Sequence, residues 1–278
     1  MLIFRGIRLA FTVLTIGALL LLSAVFSVLL YAKVSGREVI FSSSGPVFAD
    51  YETPLSTPQP NPPQAAEPVK ETVEEQPVKA SAMIDAPVIH QFPELPSGCE
   101  ITSLTMLLQF YGVQKSKMEM AYEMKKDTTP IVWGPNGTIK SWGNPNTGFV
   151  GDVYGKSKGF GIYHTALFEL LQSYVPTAVD LTRSDFSALE KQISDGVPVV
   201  AWTTINFTDP GKWVTWDTPI GPIETTFMEH AVLLVGYDSD FVYANDPWTG
   251  KGKVKVDKQQ FIQSWTVMGK QAISYTNS

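Results

Sequence analysis

The sequence contains one cysteine and three histidines, so each candidate for nucleophilic or acid–base chemistry can be considered separately. Cys99 follows the turn residues Pro96-Ser97-Gly98 and opens an apolar run with helical spacing. A thiol in the first turn of a helix feels the positive end of the helix dipole, which favours the nucleophilic thiolate. The pattern predicts a nucleophile, and the alternative is a small buried apolar residue.

His230 and Asp246 supply the partners that such a nucleophile needs. His230 opens a predicted strand that ends at Tyr237, and Asp246 ends a second predicted strand, Phe241–Asp246. The turn between them predicts an antiparallel hairpin, which brings the two side chains together. The imidazole would then take the thiol proton while the carboxylate orients the ring. Asn245 is the alternative third group, since strand alternation lets only one of the two face His230.

Gln91, in a predicted strand Val88–Phe92, is the candidate oxyanion donor together with the backbone N–H of Cys99. The alternative is an ordinary exposed glutamine. His90 is predicted to be structural, and His164 to be a surface residue at a helix start. No short-spaced pair of histidines is present, so the sequence predicts no metal site and no cofactor.

The elements that position these residues form an α+β pattern, with helices mostly first and antiparallel strands later. The predicted helices are 100–111, 117–124, 164–174, 186–194 and 258–264, and the predicted strands are 88–92, 179–181, 198–203, 230–237, 241–246 and 272–275. Two long loops, 127–161 and 206–226, are rich in aromatic residues. The first is interpreted either as a functional lid or as a surface excursion held by its aromatic residues, and the second as a possible hairpin.

The chain divides into three predicted segments. Residues 1–33 contain an apolar run long enough to cross a bilayer, and we interpret them as a transmembrane anchor, with a cleaved signal peptide as the alternative. Residues 34–85 are rich in proline and predicted to be a disordered linker. Residues 86–278 form the predicted folded domain.

The overall composition excludes several classes of protein. A net charge of −6 argues against nucleic acid as a partner. A single cysteine excludes an intramolecular disulfide framework and a cysteine-based zinc site.

The order of these residues resembles the papain-like cysteine peptidases, and more narrowly the bacteriocin-leader (double-glycine) peptidases. The block Pro96-Ser-Gly-Cys-Glu100 and the block His230-Ala-Val-Leu-Leu-Val-Gly-Tyr237 with Asp246-Pro247 are similar to those of exported, stand-alone bacterial members, and the Gly148–Gly151 loop also fits. The resemblance implies a papain-like fold, an N-terminal helical part packed on an antiparallel sheet. It also implies Cys99 as nucleophile, His230 as base, Asp246 as orienting group and Gln91 as oxyanion donor.

Spacing is compatible with this resemblance. His230 follows Cys99 by 131 positions (230 − 99), within the range of roughly 130–150 for papain-like enzymes. Gln91 precedes Cys99 by 8 positions (99 − 91), slightly more than the papain-like pattern.

We therefore expect a cysteine peptidase on the cell membrane, with one membrane span and an extracellular C-terminal domain that cleaves peptides or proteins. One alternative is the same machinery acting on cell-wall peptide or amide bonds as a hydrolase or transpeptidase. The other is a catalytically silent domain that binds peptide or wall material.

Overall fold

The computed structural model describes residues 39–42, 45–48 and 78–277. The chain forms two compact units, residues 1–72 and 73–278. In the first unit, β1 (Val39–Ser42) and β2 (Gly45–Phe48) pair as an antiparallel hairpin. The predicted anchor and most of the predicted linker lie outside the described residues. In the part of the chain that is described, no helix is both long enough and apolar enough to span a bilayer.

Between residues 78 and 277, the second unit contains five α-helices. They are α1 (Cys99–Tyr111), α2 (Lys117–Glu123), α3 (His164–Tyr174), α4 (Phe186–Ser194) and α5 (Lys258–Val267). The bounds of α3 and α4 coincide with the predictions, and α1 begins one residue earlier than predicted. Gly112 ends α1 in a left-handed conformation with φ 108°, which a residue with a side chain adopts only at a cost.

A seven-stranded sheet forms the other layer, and every strand pairing in it is antiparallel. Its strands are β3 (Ala82–Met83), β8 (Ala178–Asp180), β9 (Val199–Thr204), β12 (Glu229–Tyr237), β13 (Phe241–Asp246), β14 (Lys251–Asp257) and β15 (Ala272–Tyr275). The order is β14-β13-β12-β9-β15-β8, with β3 paired to the end of β12. The predicted β12–β13 hairpin is confirmed.

The two aromatic-rich loops build smaller sheets. The strands are β4 (Lys126–Asp127), β5 (Val132–Trp133), β6 (Ile139–Ser141), β7 (Phe149–Val150), β10 (Val214–Thr218) and β11 (Gly221–Thr225). β5, β6, β10 and β11 form one sheet, and β4 pairs with β7. Trp142 and Phe149 are buried, as expected of aromatic anchors, whereas Trp133 is 52% exposed.

Helix α1 occupies the centre of the second unit, where it packs against β12 and β9. Its first ten residues, 99–108, are all buried, so the helix is enclosed on every side. Burial of its leucines and isoleucine supplies the hydrophobic free energy that fixes the helix against the sheet. The start of α1 therefore lies against the start of β12.

Two predictions made from the sequence differ from the structure. Residues 88–92 do not form a strand. Their backbone groups bond partners outside any strand: Gln91 N–H donates to Pro247 O, and the Lys117 ammonium at the start of α2 donates to the carbonyl oxygen of His90. The folded unit also begins before Ala86, because β3 pairs with β12 and the backbone N–H of Lys79 donates to Ser194 Oγ.

Candidate active site

The turn before Cys99 places its thiol at the buried start of α1. Gly98 is the residue before the helix, and a Cβ there would lie 2.6 Å from Leu95 Cβ, so the close turn requires glycine. The thiol contacts the backbone N–H of Ala231, the residue after His230. One helical turn later, Ser103 Oγ donates to Ala231 O at 3.1 Å. Helix α1 and strand β12 are thus hydrogen-bonded to each other near their starts, where Cys99 and His230 lie.

The electrostatic surroundings of Cys99 are acidic. The residue is 7% exposed, and its Sγ donates to Glu100 Oε2 at 3.3 Å. Burial, followed by the charges of Glu100 and Glu229, raises the pKa of the Cys99 thiol well above its ordinary value, although the Ala231 N–H acts in the opposite direction. The helix-start argument predicts a lowered pKa, and it fails here because burial and two neighbouring carboxyl groups outweigh the helix dipole.

His230 and Asp246 form a buried hydrogen-bonded pair. His230 Nε2 lies 2.8 Å from Asp246 Oδ1, and the two side chains are 1% and 6% exposed. Thr249 Oγ1 and the Trp248 N–H also donate to this carboxylate. Burial raises the pKa of Asp246, but the hydrogen bond from His230 and the other donors outweigh it, so the net pKa is lowered.

Asn245 does not compete with Asp246 for the ring. Its amide donates to the carbonyl oxygens of Ala86 and Pro87, and its Oδ1 accepts the Lys253 N–H. Of the two candidates for the orienting group, the structure places Asp246 against His230. A ring whose Nε2 bonds a carboxylate leaves Nδ1 for the nucleophile.

The Cys99 thiol and the His230 ring lie near each other but do not share a hydrogen bond. Within residues 78–277, His230 Nδ1 is buried without a hydrogen-bond partner, and the Cys99 proton points to Glu100. The backbone contact at Ala231 keeps the sulfur one strand position from His230.

Gln91 is buried beside the same turn. Its Nε2 donates to Leu95 O at 3.2 Å and to Pro96 O at 3.0 Å, while its Oε1 has no partner among the described residues. The amide thus holds the turn that presents Cys99. Its role as an oxyanion donor remains a prediction, because both amide hydrogens already bond backbone carbonyls.

The other two histidines have partners of their own. His90 Nε2 lies 3.2 Å from Trp248 O, on the loop that follows Asp246. His164 Nδ1 lies 2.8 Å from Asp180 Oδ2 near the surface.

Sequence reasoning missed a buried carboxyl pair beside the thiol. Glu100 and Glu229 share a hydrogen bond, and Glu100 Oε1 also accepts the Ile162 N–H at 2.7 Å. Burial raises the pKa of Glu100 to about 7, and burial together with the charge of Glu100 raises the pKa of Glu229 well above its usual range. A signal was available, since Glu100 follows Cys99 inside an apolar run and Glu229 precedes His230.

The two carboxyl groups and the Cys99 thiol are also the groups at this site that could bind a metal ion. One atom each from Cys99, Glu100 and Glu229 lies within 4.8 Å of the others. Cys99 Sγ donates to Glu100 Oε2, whereas Glu229 Oε1 is buried without a hydrogen-bond partner among the described residues, and we assign no ion to the cluster.

A cavity of about 690 Å³ opens beside the residues that lead into β12. Three exposed aromatic side chains line it, those of Trp133, Trp213 and Phe227. Lys158 and Lys212 also line it, and no acidic side chain does. Lys158 Nζ lies 4.0 Å from the Phe227 ring centre. The cavity therefore combines an apolar wall with positive charge.

Comparison with known proteins agrees with this architecture. The profile of the Peptidase_C39 like family matches residues 83–273. A Bacillus subtilis (strain 168) protein, "Uncharacterized protein YvpB", is 40% identical over 182 residues, which are 65% of this chain and 70% of that protein.

Two solved structures are also similar. A "putative C39-like peptidase from Bacillus anthracis" is 41% identical, with a TM-score of 0.65 over 72% of this chain and 99% of that one. A double glycine motif protease from an AMS/PCAT transporter, solved with its leader peptide, is 16% identical, with a TM-score of 0.38 over 70% of this chain and 95% of that one. The profile match spans more than half of the chain and assigns the family. This chain, with its antiparallel sheet and buried central helix, belongs to the Peptidase_C39 like family.

Proposed function

We propose that the protein is a cysteine peptidase in which Cys99 attacks the carbonyl carbon of a peptide bond. The observation that carries this proposal is the buried His230–Asp246 pair, whose free Nδ1 adjoins the strand position that contacts the Cys99 sulfur. A rotation of the Cys99 side chain from Glu100 towards His230 would complete the reacting pair.

The chemistry then follows in two stages. His230 Nδ1 takes the thiol proton as sulfur bonds to the carbonyl carbon, and the same proton passes to the leaving amine as the C–N bond breaks. A water molecule next gives a proton to His230 and attacks the thioester, which releases the acid product and restores the thiol. The Cys99 N–H is the proposed oxyanion donor, and Gln91 would join it if one amide hydrogen left the turn.

Cleavage of labelled casein by the full-length protein in detergent tests this proposal. We expect measurable cleavage by the wild type and none above background for Cys99→Ala, because the chain has no other thiol. Iodoacetamide, which can label only this cysteine, serves as a chemical control and should inactivate the wild type. Equal cleavage by Cys99→Ala and wild type would contradict the proposal.

The cavity beside β12 is the proposed binding site for substrate side chains. Thr226, Phe227 and Met228 line it and lead directly to Glu229 and His230, so a bound chain would continue towards the thiol. Its aromatic wall suits an apolar side chain, and its two lysines suit a neighbouring carboxylate. We expect Trp133→Ala to raise KM for casein several-fold with a smaller change in kcat. Val267→Ala, beside a separate cavity at His164, is the matched control.

We also propose that residues 1–33 anchor the protein in the cell membrane, with the C-terminal domain outside. The support is the apolar run in the sequence. The full chain should sediment with membranes and be degraded when protease is added to intact cells. Recovery in the soluble fraction would exclude anchoring, and protection from protease would exclude the outward orientation.

Cell-wall peptide is the alternative substrate of the same machinery. Incubation with purified peptidoglycan distinguishes it from polypeptide, because release of new amines that is lost in Cys99→Ala would identify wall peptide as a substrate.

A further inference from the structure

We infer that Glu100, paired with Glu229, holds Cys99 in a protonated resting state and acts as a positioning residue for the nucleophile. The inference rests on the proposed role of Cys99. It concerns a carboxyl pair that the peptidase mechanism above does not use.

The position of the Glu100 carboxyl is fixed from two directions. Its Oε1 accepts the Ile162 N–H at 2.7 Å, and its Oε2 accepts the Cys99 thiol at 3.3 Å. Gly161 leaves room for it, since a Cβ there would lie 2.2 Å from Glu100 Oε1 and 3.0 Å from Glu229 Oε2. Trp202 Nε1 in turn holds the Ile162 carbonyl at 3.0 Å. A carboxyl held in this way directs its charge at the thiol.

Five side chains with titratable groups meet around this point. Cys99 and Glu100 come from α1, Glu229 and His230 from β12, and Tyr163 from the start of α3. The Tyr163 hydroxyl is buried and bonded to Thr225 Oγ1, and burial raises its pKa above the range in which it would ionise. His230 is committed to Asp246 through Nε2. Of these groups, the Glu100 carboxyl is the one that accepts the thiol directly, and the Glu229 carboxyl lies beside it.

The net charge of the Glu100–Glu229 pair differs below and above neutral pH. Burial raises the pKa of Glu100 to about 7 and also raises that of Glu229, so the pair is neutral in acid and Glu100 becomes negatively charged above neutral pH. A negative charge on Glu100, whose Oε2 lies 3.3 Å from the sulfur, opposes formation of the thiolate. The thiol is thus harder to ionise once Glu100 has lost its proton. Turning the thiol towards His230 removes it from this carboxylate.

Alkylation of Cys99 by iodoacetamide tests the inference without any substrate. Glu100→Gln keeps the shape and the acceptor oxygen but removes the charge. At about pH 8 we expect this variant of the full-length protein to react about tenfold faster than wild type or more, because one unit of thiol pKa changes the thiolate fraction tenfold. At about pH 5.5 the ratio should approach one, because Glu100 is already protonated in the wild type.

The pH dependence separates this role from a merely structural one. A variant that only loosened the site would react faster by the same factor at both pH values, and that result would overturn the inference, as would a ratio of one or less at pH 8. Glu224→Gln, an exposed substitution of the same type on β11, is the matched control and should follow the wild type. Glu229→Gln removes one ionisable carboxyl group, keeps a hydrogen-bond donor and leaves the charge on Glu100, so its acceleration should be smaller than that of Glu100→Gln.

A measurement on His230→Ala, which removes the neighbouring imidazole and keeps the carboxyl pair, covers the case in which Glu100→Gln does not fold. The logarithm of its alkylation rate should rise with pH, flatten through the titration of Glu100 near pH 7 and rise again. A single unbroken rise would contradict the inference. Failure of the wild type to cleave casein, with the flattening present in His230→Ala, would refute the proposed function and leave the inference standing.

Discussion

The molecule contains two histidine–aspartate pairs with the same 2.8 Å separation and different surroundings. His230 and Asp246 are buried, with side chains 1% and 6% exposed, whereas those of His164 and Asp180 are 20% and 34% exposed. His230 bonds its aspartate through Nε2 and leaves Nδ1 without a partner. His164 bonds its aspartate through Nδ1, and its Nε2 lies 3.3 Å from Thr165 Oγ1. Distance alone does not identify a catalytic pair; burial and the unused nitrogen distinguish the two.

Replacing each histidine is the strongest way to test this comparison. We expect His230→Ala to lower casein cleavage by about 10²–10⁴-fold, the usual contribution of a general base. His164→Ala should stay within about twofold of wild type, because its pair lies at the start of α3 and not at β12. Equal losses in both variants would remove the distinction between the pairs.

Replacing each aspartate should produce a smaller effect on activity. Asp246→Asn removes the carboxylate that fixes the tautomer of His230, and we expect kcat to fall on the order of 10²-fold with little change in KM. Asp180→Asn is the matched control and should leave kcat unchanged. A fall in KM proportional to the fall in kcat would instead indicate a changed substrate-binding step.

The smallest expected difference between the two pairs is in how much each stabilises the fold, and this difference should still be measurable. The pKa of both aspartates is lowered, since hydrogen bonds from the paired histidine and other donors outweigh burial. A lowered pKa stabilises the fold above the unfolded value of about 3.9, and that stability is lost as pH falls through the folded value. In urea unfolding at pH 7, Asp246→Asn should cost about 1–3 kcal/mol, and Asp180→Asn about 1 kcal/mol or less.

Two further measurements check this stability difference. The difference in unfolding free energy between wild type and Asp246→Asn should narrow as the pH falls below the unfolded value of about 3.9. Salt at about 1 M should reduce the contribution of the exposed pair and leave that of the buried pair nearly intact. A buried pair as sensitive to salt as the exposed one would contradict its burial.

The helices and strands that could be predicted are those whose own residues show periodic apolar spacing bounded by turn residues. Helix α3 and strands β13 and β15 have the predicted bounds, because periodic apolar residues and turn residues mark both ends. Strand β14 was missed although Lys251, Lys253 and Lys255 alternate with smaller or apolar residues. Such lysines are typical of an edge strand, and β14 lies at the edge of the sheet. The predicted strand at 88–92 is wrong because its backbone groups bond the loop after β13 and a helix side chain, Lys117, which local pattern does not reveal.

The candidate site was predictable in its members but not in its electrostatics. Contact between His230 and Asp246 follows from strand pairing, and the turn at Gly98 follows from residue type. The raised pKa of the Cys99 thiol does not, because it depends first on burial and then on two carboxyl groups, one of which, Glu229, is 130 positions away along the chain (229 − 99). Burial of two carboxyl groups against one sulfur is a property of the packed structure.

The attachment of β3 has a practical consequence for anyone preparing a fragment of this protein. Lys79 is held by both Ser194 and the Tyr237 hydroxyl, and Met83 lies opposite Gly236 on the strand that begins beside His230. A fragment that starts at Ala86 would lose this strand and expose the far end of β12. A fragment that starts at residue 78 or earlier would retain the whole edge and is the better choice for crystallisation and kinetics.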